Sequence, residues 1–322
     1  MTEILRVENL MKHFPVRGGF WGREIGRVHA VNDVSFSLKS SETLGIVGES
    51  GCGKSTLGRT LLRLYEADSG KVYFKNQNLF DLSKRDLRHM RRDIQMIFQD
   101  PNESLNSRQT VESILSEPLE VHGIGDRQSR KEEVKSLLAK VGLPDSAGIR
   151  YPHEFSGGQR QRIGIARAIA LKPSLIVCDE PVSALDVSIQ SQVLNLLLKL
   201  QSEMQLSYIF IAHNLAVVRH ISDRVAVMYL GEIVELTDAD SIYSQPLHPY
   251  TKALISAVPT PDPFHTSERI VLKGDVPSPF DPPFGCAFHP RCPHAVDQCK
   301  REKPVLRNFN GHQVACHLAE TL

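Results

Sequence analysis

Residues 48 to 55 read Gly48-Glu49-Ser50-Gly51-Cys52-Gly53-Lys54-Ser55, and the organisation of the chain follows from them. The string fits G-x-x-x-x-G-K-[ST]. Its glycines let the backbone turn N–H groups inward, Lys54 reaches terminal phosphates, and Ser55 can ligand Mg²⁺. Upstream, Thr43-Leu44-Gly45-Ile46-Val47 is a short apolar strand. Downstream, Leu57, Leu61 and Leu64 fall at i, i+4 and i+7, the spacing of a helix that buries one face. The loop therefore joins a strand to a helix N-terminus, where unpaired N–H groups stabilise an anion. A Gly-rich turn without a ligand is the plainer alternative, and this context argues against it.

The chain has 322 residues, enough for one large or two ordinary domains, and 41% hydrophobic content supports a packed core. With 38 Lys plus Arg against 37 Asp plus Glu the formal charge is +1, so no broad basic field draws in nucleic acid or an anionic membrane. The opening Met1-Thr2-Glu3-Ile4-Leu5-Arg6 lacks a secretory pattern, and no apolar run reaches the roughly eighteen residues of a membrane span. A cytosolic location is expected. There the six cysteines serve metal binding, catalysis or packing rather than disulfides.

Ile4 to Leu10 and Val28 to Leu38 read as strands of a sheet with one wet face. Between them Pro15 to Gly26 holds four glycines and the only tryptophan, Trp21, which predicts an exposed loop. Phe14 admits two readings, an aromatic that stacks on an adenine ring or a strand residue facing the core. Gly70 to Phe74 is another short strand, and Ile94 to Phe98 a buried one that stops at Gln99-Asp100-Pro101. From about 99 to 160 the pattern turns helical, with Val111, Ile114 and Leu115 on one face and Val134, Leu137, Leu138 and Val141 on another. This predicts an inserted helical subdomain. Its exit, Phe155-Ser156-Gly157-Gly158-Gln159, opens a helix lined by Ile163, Ala166 and Ile169 and offers a second anion-binding helix start.

Leu175-Ile176-Val177-Cys178 is a continuous apolar run ending in Asp179-Glu180-Pro181, the behaviour of a central parallel strand that delivers carboxylates at its C-terminal edge. Asp186 caps a helix marked by Ile189, Val193, Leu196, Leu197 and Leu200, and the buried strand Tyr208 to Ala212 ends in His213. Strands and helices keep alternating. That rhythm predicts an α/β fold with a mostly parallel sheet, helices on both faces and ligands at the strand C-termini, where the phosphate loop, the carboxylates and His213 fall.

Arg224 to Leu236 reads as a hairpin around Gly231. Beyond it 12 of the 19 prolines lie between Pro246 and Pro304, too many for helix interiors or central strands. The expected division is thus a domain of residues 1–245 and an appendage of residues 246–322, entered by a short helix from Pro249 to Ala257. Cys286, Cys292, Cys299 and Cys316 cluster in that appendage.

With the phosphate loop, Phe155-Ser156-Gly157-Gly158-Gln159, Asp179-Glu180 and His213 in this order, the chain resembles an ABC-type ATPase. The stretch His248-Pro249-Tyr250-Thr251-Lys252-Ala253-Leu254 and the four-Cys tail look like the ATP-binding subunits of dipeptide and oligopeptide ABC importers. The resemblance covers nearly the whole chain, and Gly51-Cys52-Gly53 with Leu57-Gly58-Arg59 looks like the second, F-type, of the two paired ATPase subunits. It implies the ABC ATPase fold: a mostly parallel core sheet, an antiparallel β subdomain, an inserted helical subdomain and a small irregular Pro/Cys-rich C-terminal domain.

Carried over residue by residue, the resemblance makes Gly48, Glu49, Ser50, Gly51, Cys52, Gly53, Lys54, Ser55 and Thr56 the phosphate loop. Gln99 becomes the switch residue near Mg²⁺ and the attacking water, Asp179 a Mg²⁺ partner through water, and Glu180 the catalytic carboxylate. His213 would contact the γ-phosphate. Ser183-Ala184-Leu185-Asp186 would communicate across a dimer. Ser156, Gly157, Gly158 and Gln159 would act in trans on ATP held by a second ATPase subunit. One departure is Phe155, where many relatives have Leu; Ser156 and the glycines do the phosphate work. Phosphoryl transfer needs positioning and charge neutralisation, which Lys54, Mg²⁺ and backbone N–H groups supply, plus a group to orient or deprotonate water.

The resemblance further implies two integral permease subunits, which the residues after Gln99 would receive, an extracytoplasmic substrate-binding protein, and a peripheral place on the cytoplasmic face of the inner membrane. No nucleic acid partner is expected. The rival, a soluble ABC ATPase acting on nucleic acid or ribosomes, would need a long coiled coil, two cassettes or a basic excess, none of which is present. Cys286, Cys292, Cys299 and Cys316 are spaced C-x₅-C-x₆-C-x₁₆-C in a segment expected to be too short and Pro-rich for a core, so a staple is expected. Four thiolates on one Zn²⁺ or one iron–sulfur cluster are the options beside unligated thiols. Zn²⁺ usually favours a tighter knuckle, and the resemblance points to [4Fe–4S]. Cys52 reads as a thiol in an electropositive loop that could be reactive, Cys178 as a buried small hydrophobe.

Overall fold

The structure is a computed structural model that describes residues 2–18, 22–100, 104–258 and 269–321. Its strands are β1 (Glu3–Gly18), β2 (Arg23–Lys39), β3 (Thr43–Val47), β4 (Ser69–Phe74), β5 (Gln77–Asn78), β6 (Ile94–Ile97), β7 (Leu175–Asp179), β8 (Ser207–Ile211), β9 (Arg224–Tyr229), β10 (Glu232–Asp238), β11 (Arg307–Phe309) and β12 (His312–Val314). The helices are α1 (Lys54–Leu61), α2 (Lys84–Met90), α3 (Val111–Val121), α4 (Arg127–Lys140), α5 (Gly157–Ile169), α6 (Val187–Met204), α7 (Leu215–Ile221), α8 (Ala239–Ser244), α9 (Pro249–Ser256) and α10 (Asp297–Arg301). They form two compact units. One is built on Asp81–Ile211 with Lys39–Glu42, the other on Glu3–Leu38, Thr43–Phe80 and the chain from Ala212 onward.

In the first unit β6, β7 and β8 run parallel, with Ile94 opposite Leu175 and Leu175 opposite Ser207. Every residue of β7 and β8 is buried, the outcome their continuous apolar runs predict for strands covered on both faces. Helices α3 and α4 bury Val111, Ile114 and Leu115 and Val134, Leu137 and Leu138 respectively, and their starts are sealed by the Thr110 and Asp126 side chains. Gly158 is where α5 and α6 approach closely: a Cβ there would lie 2.5 Å from Ile189 Cγ2.

In the second unit an antiparallel sheet of order β2-β1-β4-β5 pairs Leu5 with Phe74. Separately, β9 lies parallel to β3 and antiparallel to β10. The β9–β10 turn is Leu230-Gly231, with φ of 43° and 82°, a tight turn whose twist suits a hairpin. The Pro-rich tail then returns: β12 pairs with β10, Glu235 opposite Val314, and β11 with β12. Glu235, fully buried, accepts the Leu247 N–H at 2.7 Å and the His248 N–H at 3.0 Å and faces His312 Nε2 at 2.6 Å.

Three expectations change. The loop expected over Pro15 to Gly26 is mostly strand, since β1 continues to Gly18 and β2 begins at Arg23. Gly and Pro weigh against strand by propensity, but a half-exposed paired ribbon tolerates both because few side chains there must be buried. Trp21 lies outside the described residues. Helix α1 ends at Leu61 and Arg63 turns left-handed at φ 51°, which leaves Leu64 45% exposed instead of on the buried face. The tail also has an apolar core after all, Val314, Cys316 and Ala319 packed with Leu247, Phe309 and Leu318.

Candidate functional site

In the second unit β3 ends at Val47 and the phosphate loop starts. A Cβ on Gly48 would lie 2.1 Å from Met228 O, and one on Gly53, at φ 103°, 1.8 Å from Ala30 O. Only glycine lets the backbone pass there and present its N–H groups at the start of α1. Lys54 is buried, and its Nζ donates to the carbonyls of Gly48 at 2.8 Å and Glu49 at 3.0 Å. Ser55 and Thr56 follow in the first turn of α1, both half-buried, and Ser50 and Gly51 complete the loop. The Cys52 thiol is buried. Burial pushes its pKa up, only partly offset by the Lys54 ammonium, so the expected reactive thiol is instead a packed one.

Sequence reasoning missed what holds this loop. The Glu49 N–H donates to the Tyr250 hydroxyl at 2.9 Å, and its carboxylate accepts Arg291 Nη1 at 2.7 Å and Nη2 at 3.1 Å. His248-Pro249-Tyr250 marks the family tail but gives no hint of this contact, and Arg291 carries no periodic signal.

Ala212 N–H donates to Ile46 O at 3.1 Å, so His213 leaves the chain beside the end of β3 that feeds the phosphate loop, and it is exposed. Asn214 next caps α7. Phe14 is half-buried, edge-on to Tyr65 with ring centroids 5.4 Å apart, and Lys12 Nζ lies 5.3 Å from its ring. It is not one of the core residues.

In the first unit Asp179 closes β7, fully buried. Glu180 follows in a left-handed conformation at φ 45°, its N–H donating to Ile211 O at 3.0 Å. A non-glycine residue held there is strained, and such strain concentrates at functional sites. Gln99 Nε2 donates to Glu180 Oε2 at 3.3 Å. Ser156 caps α5, accepting Gln159 N–H at 3.3 Å while Gln159 Oε1 accepts Ser156 N–H at 3.0 Å. Phe155 is buried beneath the Arg150 guanidinium, so the residue that departs from the usual pattern is a hydrophobic plug. Asp186 caps α6 through Ile189 N–H at 2.9 Å.

The four tail cysteines share a neighbourhood. Cys286 N–H donates to Cys299 O at 2.8 Å, and backbone N–H groups of Phe288, His294 and Leu318 face the thiols of Cys286, Cys292 and Cys316. Burial, with the neighbouring thiols adding to it, pushes Cys286 up to about 12. Among the described residues no group of three or more His, Cys, Asp or Glu is arranged to hold a metal ion, so the expected [4Fe–4S] or zinc site is not preformed. Cys316 packs in the apolar core described above.

Residues 31–183 match the family described as ABC transporter, and residues 234–299 the one described as oligopeptide/dipeptide transporter, C-terminal region. The oligopeptide transport ATP-binding protein AppF of Bacillus subtilis (strain 168) is 57% identical over 98% of this chain and 97% of its own length. The di/tripeptide transport ATP-binding protein DppF of Pseudomonas aeruginosa (strain UCBPP-PA14) is 50% identical over 99% of both. Among solved structures, the dimeric ATP-binding cassette MJ0796 in a post-hydrolysis state bound to ADP and Pi has a TM-score of 0.65 at 28% identity, covering 73% of this chain and 99% of that one. Fold and sites together define an ATP-binding cassette ATPase, in which ATP and Mg²⁺ are expected. The chain belongs to the ATP-binding subunits of oligopeptide and dipeptide ABC transporters, as the tail motif predicts. No helix among the described residues is long and apolar enough to cross a membrane.

Proposed function

We propose that this chain powers import of di- or oligopeptides by binding and hydrolysing ATP as one of two paired ATPase subunits beneath two permease subunits, on the cytoplasmic face of the membrane. The single observation that carries the chemistry is the Gln99–Glu180 hydrogen bond at the end of β7, with Glu180 held in a strained backbone conformation. In this reading Glu180 orients or deprotonates the hydrolytic water, Gln99 and Asp179 serve the Mg²⁺ side with Ser55, and Lys54 with the loop N–H groups holds the phosphates. His213 contacts the γ-phosphate, and Phe14 stacks on the adenine. Ser156 to Gln159 act on nucleotide held by the partner ATPase, which we read as a paralogue, and the dimeric MJ0796 cassette supports the pairing of two cassettes. ATP would draw the subunits together and hydrolysis release them, a two-state element able to drive the permeases. An extracytoplasmic binding protein would deliver the peptide. We read residues 1–245 as the cassette and 246–322 as the transporter-type tail. Purified with its permeases in liposomes, the subunit should support ATP-dependent peptide uptake. ATP turnover stimulated by nucleic acid instead would favour the soluble-ATPase rival.

A cluster on Cys286, Cys292, Cys299 and Cys316 belongs to the same proposal. It is supported by the thiols' shared neighbourhood and the three N–H groups facing them, and it requires the ligands to close together on loading. Oxygen-free purification tests it: brown colour with about four irons per chain favours the cluster, whereas a tail that stays folded with all four cysteines replaced by Ser leaves them as packing residues.

A further inference from the structure

Every polar group of Glu49 is engaged. Its N–H goes to Tyr250, its carbonyl receives Lys54, and its carboxylate receives both terminal nitrogens of Arg291, 242 residues away in sequence. Position 49 is one the phosphate-loop pattern leaves open, so the loop itself does not call for this acid. The planar guanidinium fork fixes orientation as well as distance. Arg291 is 9% exposed, and the pair holds its guanidinium well above the usual range, so the contact is desolvated more than a surface ion pair. The two anchors are also one packed body. Arg291 N–H donates to Phe288 O at 3.0 Å, and the Phe288 ring packs on Tyr250 and Tyr229 with centroids 5.4 Å and 5.3 Å away.

We propose that Arg291 and Tyr250 are positioning residues for nucleotide binding: through Glu49, the C-terminal segment holds the phosphate loop ready and neutralises a carboxylate that would otherwise repel the polyphosphate. This rests on the reading that the loop binds ATP. Lys54 waits on the Glu49 carbonyl, so the posture of Glu49 sets the starting point from which the ammonium meets phosphate. Pre-organisation of this kind acts on affinity more than on the chemical step.

The test measures ATP affinity of the full-length chain by competition with a fluorescent ATP analogue, and KM and kcat in the assembled complex. Arg291→Met should weaken ATP binding and raise KM about tenfold or more, with kcat changed far less. Adding Glu49→Gln to that variant should recover much of the loss, because the unpaired carboxylate is gone. Arg291→Lys, which keeps the charge without the fork, should fall between. Tyr250→Phe removes one hydroxyl and should weaken ATP binding several-fold even if Arg291→Met fails to fold. Melting without nucleotide monitors foldedness. Lowered melting with unchanged ATP affinity, or equal losses in Arg291→Met with and without Glu49→Gln, would overturn the proposal. Lys54→Ala is the separate control. If it binds ATP like the parent chain, the phosphate-loop reading fails; if it does not bind while the Arg291 and Tyr250 variants bind normally, only this inference fails.

Discussion

Gln99 Nε2 donates to Glu180 Oε2 at 3.3 Å, joining a residue just past β6 to the carboxylate that directly follows β7. The amide fixes the orientation of the carboxylate, and orientation of a water-positioning group is what phosphoryl transfer asks of a protein.

Replacing Glu180 with Gln keeps the shape and the left-handed backbone but removes the charge. ATP binding should persist, while turnover in the assembled transporter falls by a general-base factor of about 10² to 10⁴. Full turnover in that variant would end the assignment of Glu180 as catalytic carboxylate.

Glycines in the two helix-start loops should differ sharply from one in a helix interior. Gly53→Ala places a methyl 1.8 Å from Ala30 O and should abolish nucleotide binding, whereas Gly164, within α5, has nothing within 4 Å of its added Cβ. Gly164→Ala should raise stability by about 0.5–1 kcal/mol, read as a higher denaturant midpoint.

His248 is buried and its pKa is lowered to about 4 by that burial, with Glu235 opposing the shift. Its Nδ1 accepts the Tyr250 N–H at 3.1 Å, which requires a neutral ring. The unfolded chain takes up this proton near pH 6.5 and the folded chain does not, so the site weakens folding as pH falls from about 6.5 towards 4. From pH 7 to pH 5 the loss should be about 2 kcal/mol. His248→Asn, which keeps an acceptor without a titrating ring, should flatten that part of the urea-midpoint profile; an equal slope in both proteins would assign the pH effect elsewhere.

Glu235 is the other buried hub, serving two backbone N–H groups and His312. Glu235→Ala strands all three and should cost roughly 3 kcal/mol or more, visible as a large drop in melting temperature. A shift within about a degree would mean that water or rearrangement replaces the carboxylate.

The cassette was legible because its signals are local. The apolar runs of β7 and β8, the glycines at 48 and 53, and the caps at Ser156 and Asp186 each follow from a few neighbouring residues. The extent of β1 and β2 was not, since pairing of a half-exposed ribbon leaves little trace in hydrophobic alternation. The braces on Glu49 were hidden for a different reason. Arg291 and Tyr250 meet the loop only through the fold, and a lone Arg beside Cys292 looks the same whether it is solvated or paired. The tail's core escaped notice because its apolar residues are contributed by Leu247 and by positions after Val305, with prolines between.

The return of β12 to β10 has a consequence for synthesis. The ribosome delivers Leu236 well before Gln313, its partner on β12. Until then the side of β10 that β12 later takes is an open edge, its backbone groups there unmet beside the apolar Ile233, Val234 and Leu236, the kind of surface that recruits other chains. Termination before β12 would therefore leave that edge open for the life of the polypeptide.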